Sequence, residues 1–128
     1  MEKNVKNHEI SPIAKKHVLH HLNSYKNKKK ILDEKNIIVT EIRPSRCTVR
    51  SDGISPCLTA KMGTGGNNVP ILVKEMRKLT VRECLRLQGF PEEFKMKENY
   101  SQSYKQLGNS VTVPLIRLVA ENIVKEII

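Results

Sequence analysis

The stretch Tyr104-Lys105-Gln106-Leu107-Gly108-Asn109-Ser110-Val111 and the apolar run that follows it to Ile128 decide how this chain is read. Gly108 offers a backbone free to turn left-handed, and Asn109 and Ser110 add short polar groups, so the octapeptide predicts a tight loop. From Val111 onward, Leu115, Ile116, Val119, Ile123, Val124 and Ile127 recur at helical spacing. Pro114 suits the first turn of that helix, where its missing N–H costs nothing. Small polar residues before a helix N-terminus make a ready seat for a polar ligand. An ordinary capped helix has the same pattern, and both readings stay open on these residues alone.

Outward from this stretch, Thr80-Val81-Arg82-Glu83 reads as a capping box that starts a helix through Gln88, with Gly89 as its terminating residue. Val81, Cys84 and Leu85 share one face of it, which makes Cys84 a packing thiol. Phe90 and Phe94, on either side of Pro91, are expected to plug the core. Ser101 or Ser103 is expected to cap a further short helix ahead of the Gly108 loop.

The preceding segment has β character. Residues 37–42 and 46–50 read as strands, and Ser51-Asp52-Gly53 as the hairpin turn between strands. Residues 56–60 are expected to continue the sheet, residues 63–68 to form an irregular glycine loop, and residues 69–73 to be the last strand. Arg43, Arg46, Arg50 and Lys61 gather beside glycines that leave backbone uncovered, a mixture suited to a phosphodiester backbone, with arginines available for guanine edges. A plain surface turn would use the same glycines.

At the N-terminal end, Ser11-Pro12 predicts a capped helix to about Ser24 with Ile13, Ala14, Val18, Leu19 and Leu22 on its apolar face. His17, His20 and His21 lie on or beside it, but no Cys, Asp or Glu completes a metal site nearby, so no metal is expected. A lysine-rich linker follows to Lys35, solvated or touching phosphate. The chain thus divides into a disordered stretch at 1–10, a helix and basic linker at 11–36, a β region at 37–76 and a helical region at 77–128. The fold class is α+β: a small irregular sheet followed by a helical C-terminal segment.

A formal net charge of +10 over 128 residues points to a polyanionic partner, most simply nucleic acid. The absence of Trp and the scarcity of aromatics exclude a base-stacking platform for single strands. No segment is long or apolar enough to cross a membrane and no signal peptide opens the chain. Cys47, Cys57 and Cys84 are odd in number and lack paired spacing, which fits a reducing cytoplasm and neither a disulfide framework nor a zinc site.

Residues Arg77-Lys78-Leu79-Thr80-Val81-Arg82-Glu83-Cys84-Leu85-Arg86-Leu87-Gln88-Gly89-Phe90-Pro91 resemble the ninth motif of the DNA (cytosine-5) methyltransferase family. Residues 104–111 resemble its tenth motif, the Gly-Asn-Ser-Val element. Ser55-Pro56-Cys57-Leu58-Thr59-Ala60 and the glycine loop resemble the end of its target-recognition domain. The likeness covers roughly residues 43–128.

That resemblance implies that Asn109, Ser110 and Val111 contact S-adenosylmethionine and that the last helix packs on a Rossmann-like catalytic domain absent from this chain. It implies structural roles for Arg82 and Glu83, and contact with double-stranded DNA through Leu58 and Thr59, with Gly65 and Gly66 in a backbone-approach loop. Arg46, Arg50 and Lys61 complete the expected DNA-binding set. The family's Thr-Leu pair reads Cys57-Leu58 here, which departs from the pattern at position 57.

The family's Pro-Cys-Gln nucleophile loop, Glu-Asn-Val element and glycine-rich cofactor turn have no counterpart in the sequence. Pro56-Cys57 is followed by Leu58 and not by Gln, so no catalytic residue is assigned. The chain is therefore expected to be inactive alone and to work with an N-terminal catalytic domain or subunit, which flips the target cytosine and methylates its C5. A non-catalytic DNA-binding module is the alternative, and RNA methylation a further one. Without its partner domain, the apolar C-terminal stripe is expected to promote self-association.

Overall fold

A computed structural model of the chain describes residues 8–29, 37–64, 68–96 and 99–128. Two hydrophobic cores divide the work between them. The first lies between helix α1 (Pro12–Lys29) and a four-stranded antiparallel sheet of β1 (Ile38–Thr40), β2 (Thr48–Arg50), β3 (Ile71–Leu72) and β4 (Arg77–Lys78), in the order β2-β1-β3-β4. Val18 and Leu22 of the helix meet Ile37, Val39, Ile42, Ile71 and Val73 there.

The amide of Ala14 donates to Ser11 Oγ at 3.2 Å, the expected N-cap. The buried stripe is narrower than expected: Ala14, Val18 and Leu22 follow one another at i,i+4, whereas Ile13 and Leu19 fall outside that line and are exposed. The helix also outruns its expected end at Ser24, since nothing before Lys29 breaks it; residues 24–29 contain neither Gly nor Pro. Its flank is tied to the sheet through His21 Nε2 and the Arg43 carbonyl, and through Tyr25 and Ser51 hydroxyls, both at 3.2 Å.

Of the stretch expected to be disordered, residues 1–7 lie outside the described residues. Residues 8–10 depart from that expectation: His8 is buried and Glu9 bridges to Arg77 along the free edge of β4. The linker expected up to Lys35 lies partly in α1, and its residues 30–35 lie outside the described residues. Three further points differ in the β region. β4 was not anticipated; Ser51-Asp52-Gly53 follows the edge strand β2, which pairs with β1 before it, and so joins no hairpin; and residues 56–59 form no strand but run into a short 3-10 helix, Ala60–Thr64. Pro56 has no N–H to give a ladder, and Leu58 and Met62 turn away from the sheet into the second core.

That second core joins Leu58, Met62, Val69, Leu79, Cys84, Leu85, Tyr104 and Leu107. It is built by α2 (Val81–Leu87) and α3 (Tyr100–Asn109). The expected capping box is present: Glu83 N donates to Thr80 Oγ1 at 3.1 Å and Thr80 N to Glu83 Oε2 at 2.8 Å. Glu83 also receives both terminal nitrogens of Arg77 at 2.8 Å, fixing α2 to β4. Gly89 takes φ +78°, as expected of a residue that ends a helix.

The tight loop expected at Gly108 is the main correction. Gly108 lies inside α3, and its lack of a side chain serves close packing: a Cβ there would stand 2.0 Å from the Thr59 backbone carbon. Asn99, and neither Ser101 nor Ser103, caps α3, accepting from Gln102 N at 3.2 Å. Ser103 is buried in the helix, and Tyr104 donates its hydroxyl to the Leu79 carbonyl at 2.6 Å. The last element, α4 (Val113–Ile127), contains Pro114 in its first turn and buries no residue at all.

Candidate functional site

The site is the turn that joins α3 to α4. Ser110 leaves the helix in extended geometry, donates its N–H to the Leu107 carbonyl at 3.2 Å and donates its hydroxyl to the same oxygen at 2.7 Å. Thr112 precedes α4 but makes no side-chain cap; its hydroxyl donates to Gln88 Oε1 at 3.0 Å. The Gln88 carbonyl accepts the Val113 N–H at 2.8 Å, and a Cβ on Gly89 would stand 2.6 Å from Pro114 Cδ. The Gln88-Gly89 end of α2 is thus the seat on which the Ser110–Thr112 turn and the start of α4 rest.

An open groove of about 580 Å³ runs along this turn. Asn109, Ser110 and Val111 line it together with Phe90, Val113, Ile116 and Arg117. The three residues assigned from the sequence therefore share one concave surface. Its lining is mostly apolar, with the Asn109 amide, the Ser110 hydroxyl and the Arg117 guanidinium as its polar side-chain groups. Phe90 stacks at a tilt on Phe94, with ring centroids 4.8 Å apart, and Arg82 Nη2 donates to the Phe94 carbonyl at 2.9 Å. Phe90 is partly buried and packs against the second core as well as lining the groove, whereas Phe94 is exposed.

Sequence reasoning missed Phe90, Val113, Ile116 and Arg117 as groove residues. Ile116 and Arg117 lie three and four positions beyond Val113, on the same side of α4, a relation that helical periodicity contains once the turn is known.

The residues assigned to DNA are distributed differently. Arg46 and Arg50 belong to the β1–β2 half, where Arg46 pairs with Glu41 at 3.0 Å and Arg50 with Asp52 at 2.6 Å. Both pairs are exposed enough for solvent to screen them. Thr59, just before the 3-10 helix, and Lys61, within it, are exposed, whereas Leu58 is a core residue. Gly65 and Gly66 lie outside the described residues.

The three thiols differ sharply. Cys57 is exposed, with its Sγ 3.7 Å from the Leu58 carbonyl. Burial pushes the Cys47 thiol up to about 11 and the fully buried Cys84 thiol up to about 12, the latter helped by the neighbouring Glu83 charge. Among the described residues, no group of three His, Cys, Asp or Glu side chains is placed to hold a metal ion. None of their helices is long and apolar enough to cross a membrane.

The family model for C-5 cytosine-specific DNA methylases matches residues 1–125. The chain belongs to that family. Type II methyltransferase M.Bsp6I of Bacillus sp. (strain RFL6) is 53% identical over 78 residues, which is 59% of this chain and 25% of the relative. Type II methyltransferase M.BanI of Aneurinibacillus aneurinilyticus is 47% identical over 76 residues, 56% of this chain and 16% of the relative. M.HaeII of Haemophilus aegyptius, also a type II methyltransferase, is 42% identical over 66 residues, 52% of this chain and 21% of the relative. The chain thus spans a quarter or less of the length of these relatives. No solved structure matches it.

Within this family chain, Glu121-Asn122-Ile123 comes nearest in wording to a Glu-Asn-Val element. It lies in the exposed α4, where Asn122 Nδ2 donates to the Leu118 carbonyl one turn back at 3.0 Å.

Proposed function

We propose that this chain is the C-terminal, target-recognition part of a type II DNA (cytosine-5) methyltransferase of a restriction-modification pair. In this reading it is inactive alone and complements a catalytic domain or subunit that supplies the nucleophile. The observation that carries the proposal is the meeting of the Asn109-Ser110-Val111 turn with a groove and with α4, which beyond its first turn buries no side chain among the described residues. A one-sided groove beside an apolar helix is half of an interface site.

S-adenosylmethionine, which the family generally uses, fits this half-site chemically. Phe90, Val111 and Ile116 offer apolar surface to an aromatic base, and Asn109 and Ser110 offer hydrogen-bonding groups to the ligand's polar ends. When bound, the cofactor supplies the methyl group; the residues here serve as one wall that binds, orients and excludes water. The Leu115 to Ile128 stripe docks on the catalytic part. The sheet and the 3-10 segment face duplex DNA, with Arg46, Arg50 and Lys61 against phosphates or guanine edges and Thr59 at a base. Leu58 acts from within the core by holding that segment. Gly65 and Gly66, without side chains, allow the DNA backbone to come close.

Transfer of labelled methyl groups from S-adenosylmethionine to duplex DNA tests this. The chain is assayed alone and mixed with a catalytic N-terminal part of the enzyme, with transfer RNA as competitor. Silence alone and activity on mixing, resistant to transfer RNA, is the expected result. Activity of the chain alone would overturn the assignment and return attention to Cys57. Silence in both tubes, with the catalytic part shown to be folded, would favour a DNA-binding module. Competition by transfer RNA would move the substrate to RNA.

A further inference from the structure

We infer that Gln88 is a positioning residue for the cofactor wall: it sets where Ser110 stands and how α4 departs, without lining the groove itself. The inference deepens the proposed role of the Asn109-Ser110-Val111 turn and rests on that reading.

Gln88 closes α2, and a closing residue needs only its backbone for that purpose: its N–H reaches the carbonyls of Cys84 and Arg86. A glutamine in such a place would ordinarily send its side chain into water. Here the residue is 8% exposed and both ends of its amide are used. Nε2 donates to the Leu107 carbonyl at 3.3 Å and stands 3.5 Å from Ser110 Oγ; Oε1 accepts from the Thr112 hydroxyl at 3.0 Å. With the backbone bond from Val113, one residue touches the end of α3, the turn and the first residue of α4. Neither Gln88 nor Thr112 lines the groove, so their effect on a ligand must pass through the turn.

The orientation of the amide follows from its neighbours. The Leu107 carbonyl can only accept, so the nitrogen must face it; the reverse orientation would set two acceptors against each other. That leaves the oxygen for Thr112. The same carbonyl collects the Ser110 N–H and the Ser110 hydroxyl. Gln88 and Ser110 are therefore fastened to one atom, and loss of the Gln88 amide removes the bonds to Leu107 and Thr112 that brace the turn from its interior side, leaving Ser110 with only its own bonds to Leu107. The base of this clamp is firm: α2 is held at its other end by the Thr80–Glu83 box and by Arg77.

Gln88→Met keeps the length of the side chain and removes both amide bonds. In the assembled enzyme, the dissociation constant for S-adenosylmethionine, read by equilibrium dialysis, should rise on the order of tenfold, since a net hydrogen bond is worth roughly that factor. Duplex DNA affinity should not change. In the chain by itself, amide hydrogen exchange at Ser110 and Val113 should quicken. Gln88→Met with Ser110→Ala should bind the cofactor no more weakly than Ser110→Ala alone, as expected of a residue that acts through Ser110.

Thr112→Val, at an exposed position, should shift cofactor affinity in the same direction by a smaller factor, and it carries the test if Gln88→Met does not fold. Unchanged cofactor affinity in Gln88→Met, or in Thr112→Val where that carries the test, would overturn the inference. Weakened binding by Asn109→Ala beside that result would leave the cofactor reading standing. If Asn109→Ala and Ser110→Ala also bind normally, the cofactor reading is lost and this inference with it.

Discussion

α3 and α4 are consecutive helices separated by Ser110 to Thr112, and the one with less apolar material is the one that is buried. α3 has Tyr100, Tyr104 and Leu107 as its large apolar or aromatic residues, and two of them reach the second core. α4 has Leu115, Ile116, Leu118, Val119, Ile123, Val124 and Ile127, each roughly half exposed or more. Apolar content creates the pressure to be covered, but only a matching surface relieves it. α3 has that surface in the 3-10 segment and α2. Among the described residues, α4 has none beyond its first turn, where Gly89 and Gln88 receive it. An isolated helix of this length is marginal in water, and under the proposed function the catalytic part supplies the surface that covers it.

The sharpest way to break the comparison is to spoil the seat of α3. In an exposed helix, Gly108→Ala would stabilise by about 1 kcal/mol through propensity alone. Here the new methyl would stand 2.0 Å from Thr59 C and 2.2 Å from Ala60 N, both backbone atoms that cannot rotate away. The expected result of urea unfolding is destabilisation by at least about 2 kcal/mol, the range of overpacked cores. A stabilised variant would show that α3 is not seated on the 3-10 segment, and the contrast with α4 would vanish.

How much could be read beforehand follows the range of each interaction. The Thr80–Glu83 box, the Ser11 cap, Gly89 and the existence of α4 were all legible, because each depends on residues within one or two turns. Gly108 was misread as a loop glycine because Thr59, its reason for being a glycine, lies far away in sequence. β4 and the bridge at Glu9 were missed for the same cause: strand pairing is non-local, and a two-residue strand has no pattern of its own. At the site, Asn109, Ser110 and Val111 were legible as a cluster of adjacent residues. Gln88 was not, since nothing in the wording of Leu87-Gln88-Gly89 says that the amide is buried against Leu107 and Thr112.

A milder perturbation acts on the interior that α3 shares with α2. Arg77 is nearly buried, and its hydrogen bonds to Glu83 hold that carboxyl below its ordinary value of 4.5, against the opposing effect of burial. The same pairing raises the Arg77 guanidinium above its usual range. A carboxyl depressed in the folded state contributes stability above its unfolded pKa and loses it as pH falls through the folded one. Stability should therefore decline below about pH 4.5, and Glu83→Gln should flatten part of that decline while costing about 1–2 kcal/mol at neutral pH. Urea midpoints across acidic pH check both. Parallel curves for variant and parent would place the acid sensitivity elsewhere and remove Glu83 as the link between α2 and β4.

The smallest expected effect on stability is the most telling for α4. Ile123 lies in the middle of its stripe, in line with Ile116, Val119, Ala120 and Ile127, and is 52% exposed. Replacing it with glutamine, a good helix former, should change the stability of the chain by no more than about 0.5 kcal/mol, as for other surface positions. The same replacement should reduce any self-association of the chain in equilibrium sedimentation and should lower methyl transfer when the chain is mixed with a catalytic partner. A buried isoleucine would respond the other way round: loss of stability first, and loss of assembly only as its consequence. If Ile123→Gln unfolds the chain, α4 has a cover within it and the stripe is core. If stability and assembly are both untouched, the docking face lies elsewhere on the helix, and Leu118, which sits outside the stripe and is 57% exposed, becomes the residue to change.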